Sequence, residues 1–107
     1  GAFVLVAGCV GILPDGTYPR DLAGQTARCL ERIEEALVAF GCSLDQLVRI
    51  RIYTTRIDQW AEIASVMGPR FARTRPANAM VGVSSLIDER ALIEIEADAW
   101  APAAERR

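Results

Sequence analysis

The sequence predicts an α+β domain in which two amphipathic helices cover one face of a β-sheet. Two stretches, 22–40 and 60–71, repeat apolar residues at steps of three and four. Two others, 47–55 and 92–100, alternate strictly between apolar and polar residues. The first pattern is the period of a helix with one buried stripe, and the second that of a half-buried strand. With the remaining short runs the predicted order is ββ-α-β-α-ββ, and 107 residues suit a single domain spanning 1–107.

In chain order, 3–6 is a short apolar, partly β-branched run, read as a strand rather than a membrane span or signal peptide. It leads into residues 8–12, and Leu13-Pro14-Asp15-Gly16-Thr17 carries turn chemistry, so the expected order is strand, turn and a short returning segment. The first helix has its stripe at Leu22, Thr26, Cys29, Leu30, Ile33, Ala36, Leu37 and Phe40. Arg28, Glu31, Arg32, Glu34 and Glu35 supply a solvated outer face, Asp21 the N-cap and Gly41 the stop. In the strand over 47–55, Val48, Ile50 and Ile52 are expected inward, and Arg49, Arg51 and Tyr53 outward. Asp58 is the candidate cap of the second helix, whose stripe is Trp60, Ile63, Ala64, Met67 and Phe71. Gly68-Pro69 should kink or end that helix. Arg75-Pro76 punctuates the chain before a strand over 78–83 and a loop over 84–90. In the final strand Ile93, Ile95, Ala97 and Ala99 face the core, and Glu94, Glu96, Asp98 and Trp100 face away; 101–107 reads as a frayed tail.

Composition narrows the chemistry. The sequence has no His, which removes His-based triads and the usual near-neutral general base. All 12 basic residues are Arg, so a Schiff-base lysine and a phosphate-binding P-loop lysine are excluded. Proton transfer falls to Asp, Glu, Tyr, Cys or water. A net charge of −2 argues against electrostatic binding to a nucleic-acid backbone. Cys9, Cys29 and Cys42 are odd in number and lack C-x-x-C spacing, which fits free thiols in a reducing, cytoplasmic compartment. Cys29 falls on the helix stripe, and Cys42 follows the helix-ending Gly41.

The outward face of the sheet mixes Arg49, Arg51, Glu94, Glu96 and Asp98 with Tyr53 and Trp100. A plain solvated face is one account. Large aromatics among paired opposite charges favour the other, a contact between subunits of a closed homo-oligomer.

In order and spacing, several landmarks resemble the RidA/YjgF family, also called L-PSP. They are Ala7-Gly8, Asp21-x-x-x-Gln25-Thr26, Gly41-Cys42-Ser43-Leu44-Asp45, Thr55-x-x-Asp58, Arg75-Pro76-Ala77 and Leu92-Ile93-Glu94-Ile95-Glu96-Ala97. The resemblance spans nearly the whole chain. It implies a chorismate-mutase-like fold with a mixed sheet, and a homotrimer whose sheets form a central barrel with ligand clefts between subunits. The family's usual first strand, with a Gly-Pro-Tyr segment whose Tyr lines the cleft, has no counterpart within 1–107.

The implied activity is hydrolysis of reactive imines and enamines, such as 2-iminobutanoate and 2-aminoacrylate, to 2-oxo acids and ammonia. It needs a positioned water, a carboxylate to orient it, hydrogen-bond donors and an anion anchor, with no metal or other cofactor. Glu94 matches the family's water-positioning Glu; the competing account is a salt bridge to Arg49 or Arg51. Gly8 and Met80 match positions whose backbone lines the cleft, and Cys9 adjoins Gly8 at its rim. A nucleophilic Cys9 lacks any His or Lys to activate it. The departure is Asn78, which stands where the family carries the carboxylate-binding Arg. Arg73 and Arg75 are near in sequence, but a rigid cleft rarely tolerates a shifted anchor. The expectation is therefore an altered ligand, a neutral carbonyl, amide or hydroxyl. The partners expected are a small molecule and further copies of the chain, with no nucleic acid and no membrane. The functions in competition are an imine, enamine or carbonyl hydrolase or tautomerase, a non-catalytic small-molecule-binding trimer, and a ribonuclease.

Overall fold

The computed structural model describes residues 1–103. Its elements are strand β1 (Ala2–Val10), helix α1 (Leu22–Val38), strand β2 (Leu47–Thr54), helix α2 (Trp60–Phe71), strand β3 (Ala77–Gly82) and strand β4 (Ile93–Ala101). Short 3₁₀ turns at Leu44–Gln46 and Ile57–Gln59 lead into β2 and α2. The sheet order is β1-β4-β2-β3, with β2 and β3 parallel and the other pairs antiparallel. Both helices lie on one face, as predicted. No helix among the described residues is long and apolar enough to cross a membrane.

Helix α1 ends as Gly41 requires. Gly41 has φ +69°, its N–H donates to Val38 O at 3.0 Å, and Cys42 N–H donates to Leu37 O at 3.1 Å. That pair of bonds defines a Schellman cap, which favours a residue without Cβ. Asp21 has an extended backbone at the N-cap, but its side chain makes no capping bond. Ala36 and Phe40, expected on the stripe, are exposed, because the helix closes at Val38 and turns away. Arg28, expected outside, is buried: its Nε donates to Ile12 O at 2.8 Å, and Arg32 donates to Val10 O at 2.8 Å. The two guanidiniums satisfy carbonyls at the end of β1.

Two bulges correct the strand assignments. In β1, the step from Val6 to Cys9 spans three residues against two, Ala97 to Ile95, in β4. Strand β1 thus runs through the bulge to Val10; the returning strand expected after the 13–17 turn does not form, and the order is β-α-β-α-β-β. The extra residue leaves Ala7 and Gly8 exposed and turns Cys9 into the core. In β2, the step from Leu47 to Arg49 opposes the single step from Ala99 to Asp98. Leu47 is buried in consequence, and Val48, expected inward, is 43% exposed.

Helix α2 also departs from expectation. Asp58 lies in the 3₁₀ turn and does not cap; Gln59 holds the N-cap position. Pro69 sits in the last turn and the helix runs on to Phe71. Beyond it, Arg75 adopts φ +48° and donates its N–H to Phe71 O at 2.9 Å. The core joins Val4, Val6, Cys9, Leu22, Cys29, Ile33, Leu37, Ile50, Ile52, Ile63, Ile93, Ile95, Ala97 and Ala99. The four inward positions predicted for β4 are all fully buried. Ala101, assigned to the tail, closes β4, and residues 104–107 of that tail lie outside the described residues.

Candidate functional site

The sequence-predicted site residues divide between the two faces of the sheet. Glu94 pairs in register with Val10 on one side and Tyr53 on the other, and points away from the helices. Gly8 lies against it. A Cβ at Gly8 would overlap the Glu94 carboxylate, with Cδ at 2.8 Å, so the bulge and the absent side chain together make room for Glu94.

Arg51, Glu96 and Asp98 beside it engage one another. Arg51 contacts Glu96 at 3.6 Å and Asp98 at 3.5 Å, and the Tyr53 hydroxyl donates to Glu96 at 2.8 Å. That hydrogen bond raises the Tyr53 pKa, with burial adding to it. Among the described residues Glu94 enters no ion pair. Exposed Phe3, Leu5, Val48, Val81 and Trp100 accompany these charges, with Phe3 edge-on to Trp100 at 5.0 Å between ring centroids.

Asn78 and Met80 stand on the other face. They pair with Ile50 and Ile52 and share their side of the sheet. There α2 stands off β2 and β3 and leaves a cavity of about 410 Å³, lined by Ile50, Ile52, Trp60, Ala64, Met67, Gly68, Phe71, Arg75, Pro76, Asn78 and Met80. Small residues one turn apart create it: Ala64 adds little volume, and a Cβ at Gly68 would meet nothing within 4 Å. Arg75 is the only charged residue of this lining, and Asn78 and the Trp60 indole N–H are its other polar side-chain groups. Arg73 is directed elsewhere, to Asp45 at 3.4 Å, as is Arg70 at 3.0 Å.

Cys9 belongs to neither group. It is buried on the helix-covered face, and its thiol donates to Ala7 O at 3.4 Å. Burial raises its pKa, Arg32 opposes, and Glu94 and Glu35 add to the rise. Burial likewise pushes the Cys29 thiol up to about 12. Neither thiol is poised as a nucleophile near neutral pH.

One organising residue escaped the sequence reading. Gln25, on the buried side of α1, donates from Nε2 to Pro19 O and Arg90 O, both at 2.9 Å, and accepts Leu92 N–H at 2.8 Å. It thereby ties the turn before α1 to the entry of β4, two residues before Glu94. The available signal was an amide interrupting an apolar helical stripe, where every buried polar group needs partners.

A four-stranded mixed sheet with two helices on one face, a bulged first strand and a parallel β2-α2-β3 crossover is the chorismate-mutase-like fold. Residues 1–101 match the family model described as Endoribonuclease L-PSP. A RutC family protein of Pyrococcus abyssi is 34% identical over 102 residues, covering 94% of this chain and 80% of the relative. The crystal structure of a Mycobacterium tuberculosis member of the YjgF/YER057c/UK114 family superposes with TM-score 0.86 at 42% identity, covering 94% of this chain and 80% of that one. The structure of E. coli TdcF with bound serine gives TM-score 0.87 at 26% identity, covering 95% and 83%. The chain belongs to the L-PSP family, which is the RidA/YjgF family.

Proposed function

We propose that this protein hydrolyses or tautomerises a small imine, enamine or related carbonyl compound in a cleft completed by a second copy of the chain. The observation that carries the reading is Glu94: a carboxylate without an ion pair among the described residues, given space by Gly8, beside an Arg51 that is engaged by Glu96 and Asp98. Such a group is available to orient a water and take its proton as the water attacks an imine carbon. Ammonia then leaves the resulting tetrahedral carbon, and the carbonyl product forms.

Asn78, with donor and acceptor atoms, orients the polar end of the ligand beside the cavity, and Met80 shapes its wall. Within one chain the sheet lies between Glu94 and Asn78. A closed trimer brings Glu94 of one copy to Asn78 of the next and covers the apolar and charged outer face. In the absence of an Arg at position 78, a ligand-binding trimer without turnover is the second reading. The serine bound in the structure of TdcF supports a small-molecule site in either case.

The test is ammonia release from freshly generated 2-iminobutanoate and larger imines, with light scattering for assembly. Turnover should fall by a factor of at least about 100 in Glu94→Ala while the trimer persists, in line with the usual worth of a general base. Saturable binding without turnover supports the second reading, and a monomer of 11.7 kDa removes the shared cleft. RNA cleavage that survives repurification and vanishes in Glu94→Ala would replace both.

A further inference from the structure

We infer that the cavity beneath α2 selects an uncharged amide or ketone carrying an apolar body the size of an aromatic ring, with Asn78 reading the polar head and Gly68 making room for the body. The inference rests on the proposed small-molecule cleft and names the ligand class for the part of it that one chain supplies.

Gly68 is the first observation. Every other glycine of the chain has a local reason: Gly16 and Gly41 adopt positive φ, and at Gly1, Gly8, Gly11, Gly24 and Gly82 an added Cβ would collide with a neighbour. Gly68 has neither. It sits inside α2, its φ is not positive, and an added Cβ would meet nothing within 4 Å. Glycine there weakens the helix, and no turn or close approach requires it. What it does is widen the cavity, which it lines with Ala64 one turn earlier. Ile50 and Ile52 form the floor, and Trp60, Met67 and Phe71 the apolar walls. The volume of about 410 Å³ lies within the span usual for small-molecule sites and exceeds what a four-carbon compound fills.

Asn78 is the second observation, and strand parity fixes its side. In the parallel β2-β3 pair it stands abreast of Ile50, as Met80 does of Ile52. Ile50 and Ile52 are buried beneath the helices, so Asn78 shares their face. Among the described residues its side chain makes no hydrogen bond. The free amide offers a donor to a ketone, or a donor and an acceptor to another amide. A carboxylate beside it would exchange its hydration for neutral partners and apolar walls, which is unfavourable. Arg75 does not reverse that balance, because it is exposed and a solvated cation holds an anion weakly.

The test is titration calorimetry of the intact protein with 3-phenylpropanamide, 3-phenylpropanoate and propanamide, repeated in Asn78→Leu and Gly68→Leu, with thermal melts and light scattering alongside. The native chain should bind 3-phenylpropanamide at least about ten-fold more tightly than either other compound, one control lacking the neutral head and the other the ring. Asn78→Leu should weaken the amide by about ten-fold. Gly68→Leu, with its side chain in the cavity, should bring 3-phenylpropanamide down to the affinity of propanamide without lowering the melting temperature or changing the assembly. Absence of amide binding, equal or tighter binding of the carboxylate, or unchanged amide affinity in either variant overturns the assignment. So does a Gly68→Leu protein that dissociates, which would make Gly68 a subunit contact. These readouts involve no turnover, so failure of the Glu94 chemistry leaves them standing, and their failure leaves that chemistry untouched.

Discussion

Helices α1 and α2 cover the same face of one sheet, yet they meet it differently. Helix α1 buries Leu22, Gln25, Thr26, Arg28, Cys29, Leu30, Ile33 and Leu37; Gln25 and Arg28 are tied to backbone groups of other segments, and Thr26 donates to Leu22 O within the helix. Helix α2 buries only Ile63 and Phe71, and Trp60 at its start remains 57% exposed. Close packing on α1 holds the fold together, whereas the small residues of α2 leave room for a ligand. Close packing and open space thus fall to different helices, and changes on one side need not trade against the other.

The sharpest way to break this comparison is truncation on both sides. Ile33→Ala should cost about 2–5 kcal/mol, because a fully buried site leaves a cavity that cannot collapse. Met67→Ala, on a wall already open, should cost less than Ile33→Ala, below the range of about 2–5 kcal/mol for a closed site. Urea unfolding measures both, and equal costs would end the distinction.

A smaller effect comes from titrating the α1 side. The Cys29 thiol has a pKa of about 12 in the fold against an ordinary 9.0. Below pH 9 both states keep the proton. Between pH 9 and 12 the unfolded chain loses it first, so the folded state binds more protons and stability falls as pH rises. By pH 10.5 the loss should be roughly 2 kcal/mol, and Cys29→Ala should flatten the slope. Denaturant midpoints across that range are the measurement, and an unchanged slope in the variant would refute the assignment.

The smallest effect has the opposite sign. Gly68 lies inside α2 with open space where a Cβ would sit, so Gly68→Ala should stabilise by about 0.5–1 kcal/mol. A calorimetric melt decides it, and a destabilised variant would mean that α2 is packed more tightly than described.

The regular elements were legible in the sequence because periodicity reports burial directly. The predicted helices and the inward residues of β4 follow from spacing alone. What escaped reading was irregular. A one-residue bulge reverses the sense of alternation without changing composition, so Val48 was expected inside. Gln25 was invisible as an organiser because its three backbone partners come from segments far apart in sequence. Glu94 was found through the family resemblance and its outward parity, and its fit against Gly8 needed the bulge. Arg75 was set aside because a rigid cleft rarely tolerates a shifted anchor; that it lines the same cavity as Asn78 follows a left-handed turn that no local pattern announces.

Strand β4, the last to be synthesised, lies between β1 and β2. Among the described residues strand β1 pairs only with β4, so residues 2–10 find their partner roughly ninety positions along the chain. The β2-α2-β3 segment can pair over a shorter span. Closing the β1-β4 pair therefore carries the largest loop-closure cost in the sheet and is the step most exposed to mispairing during folding.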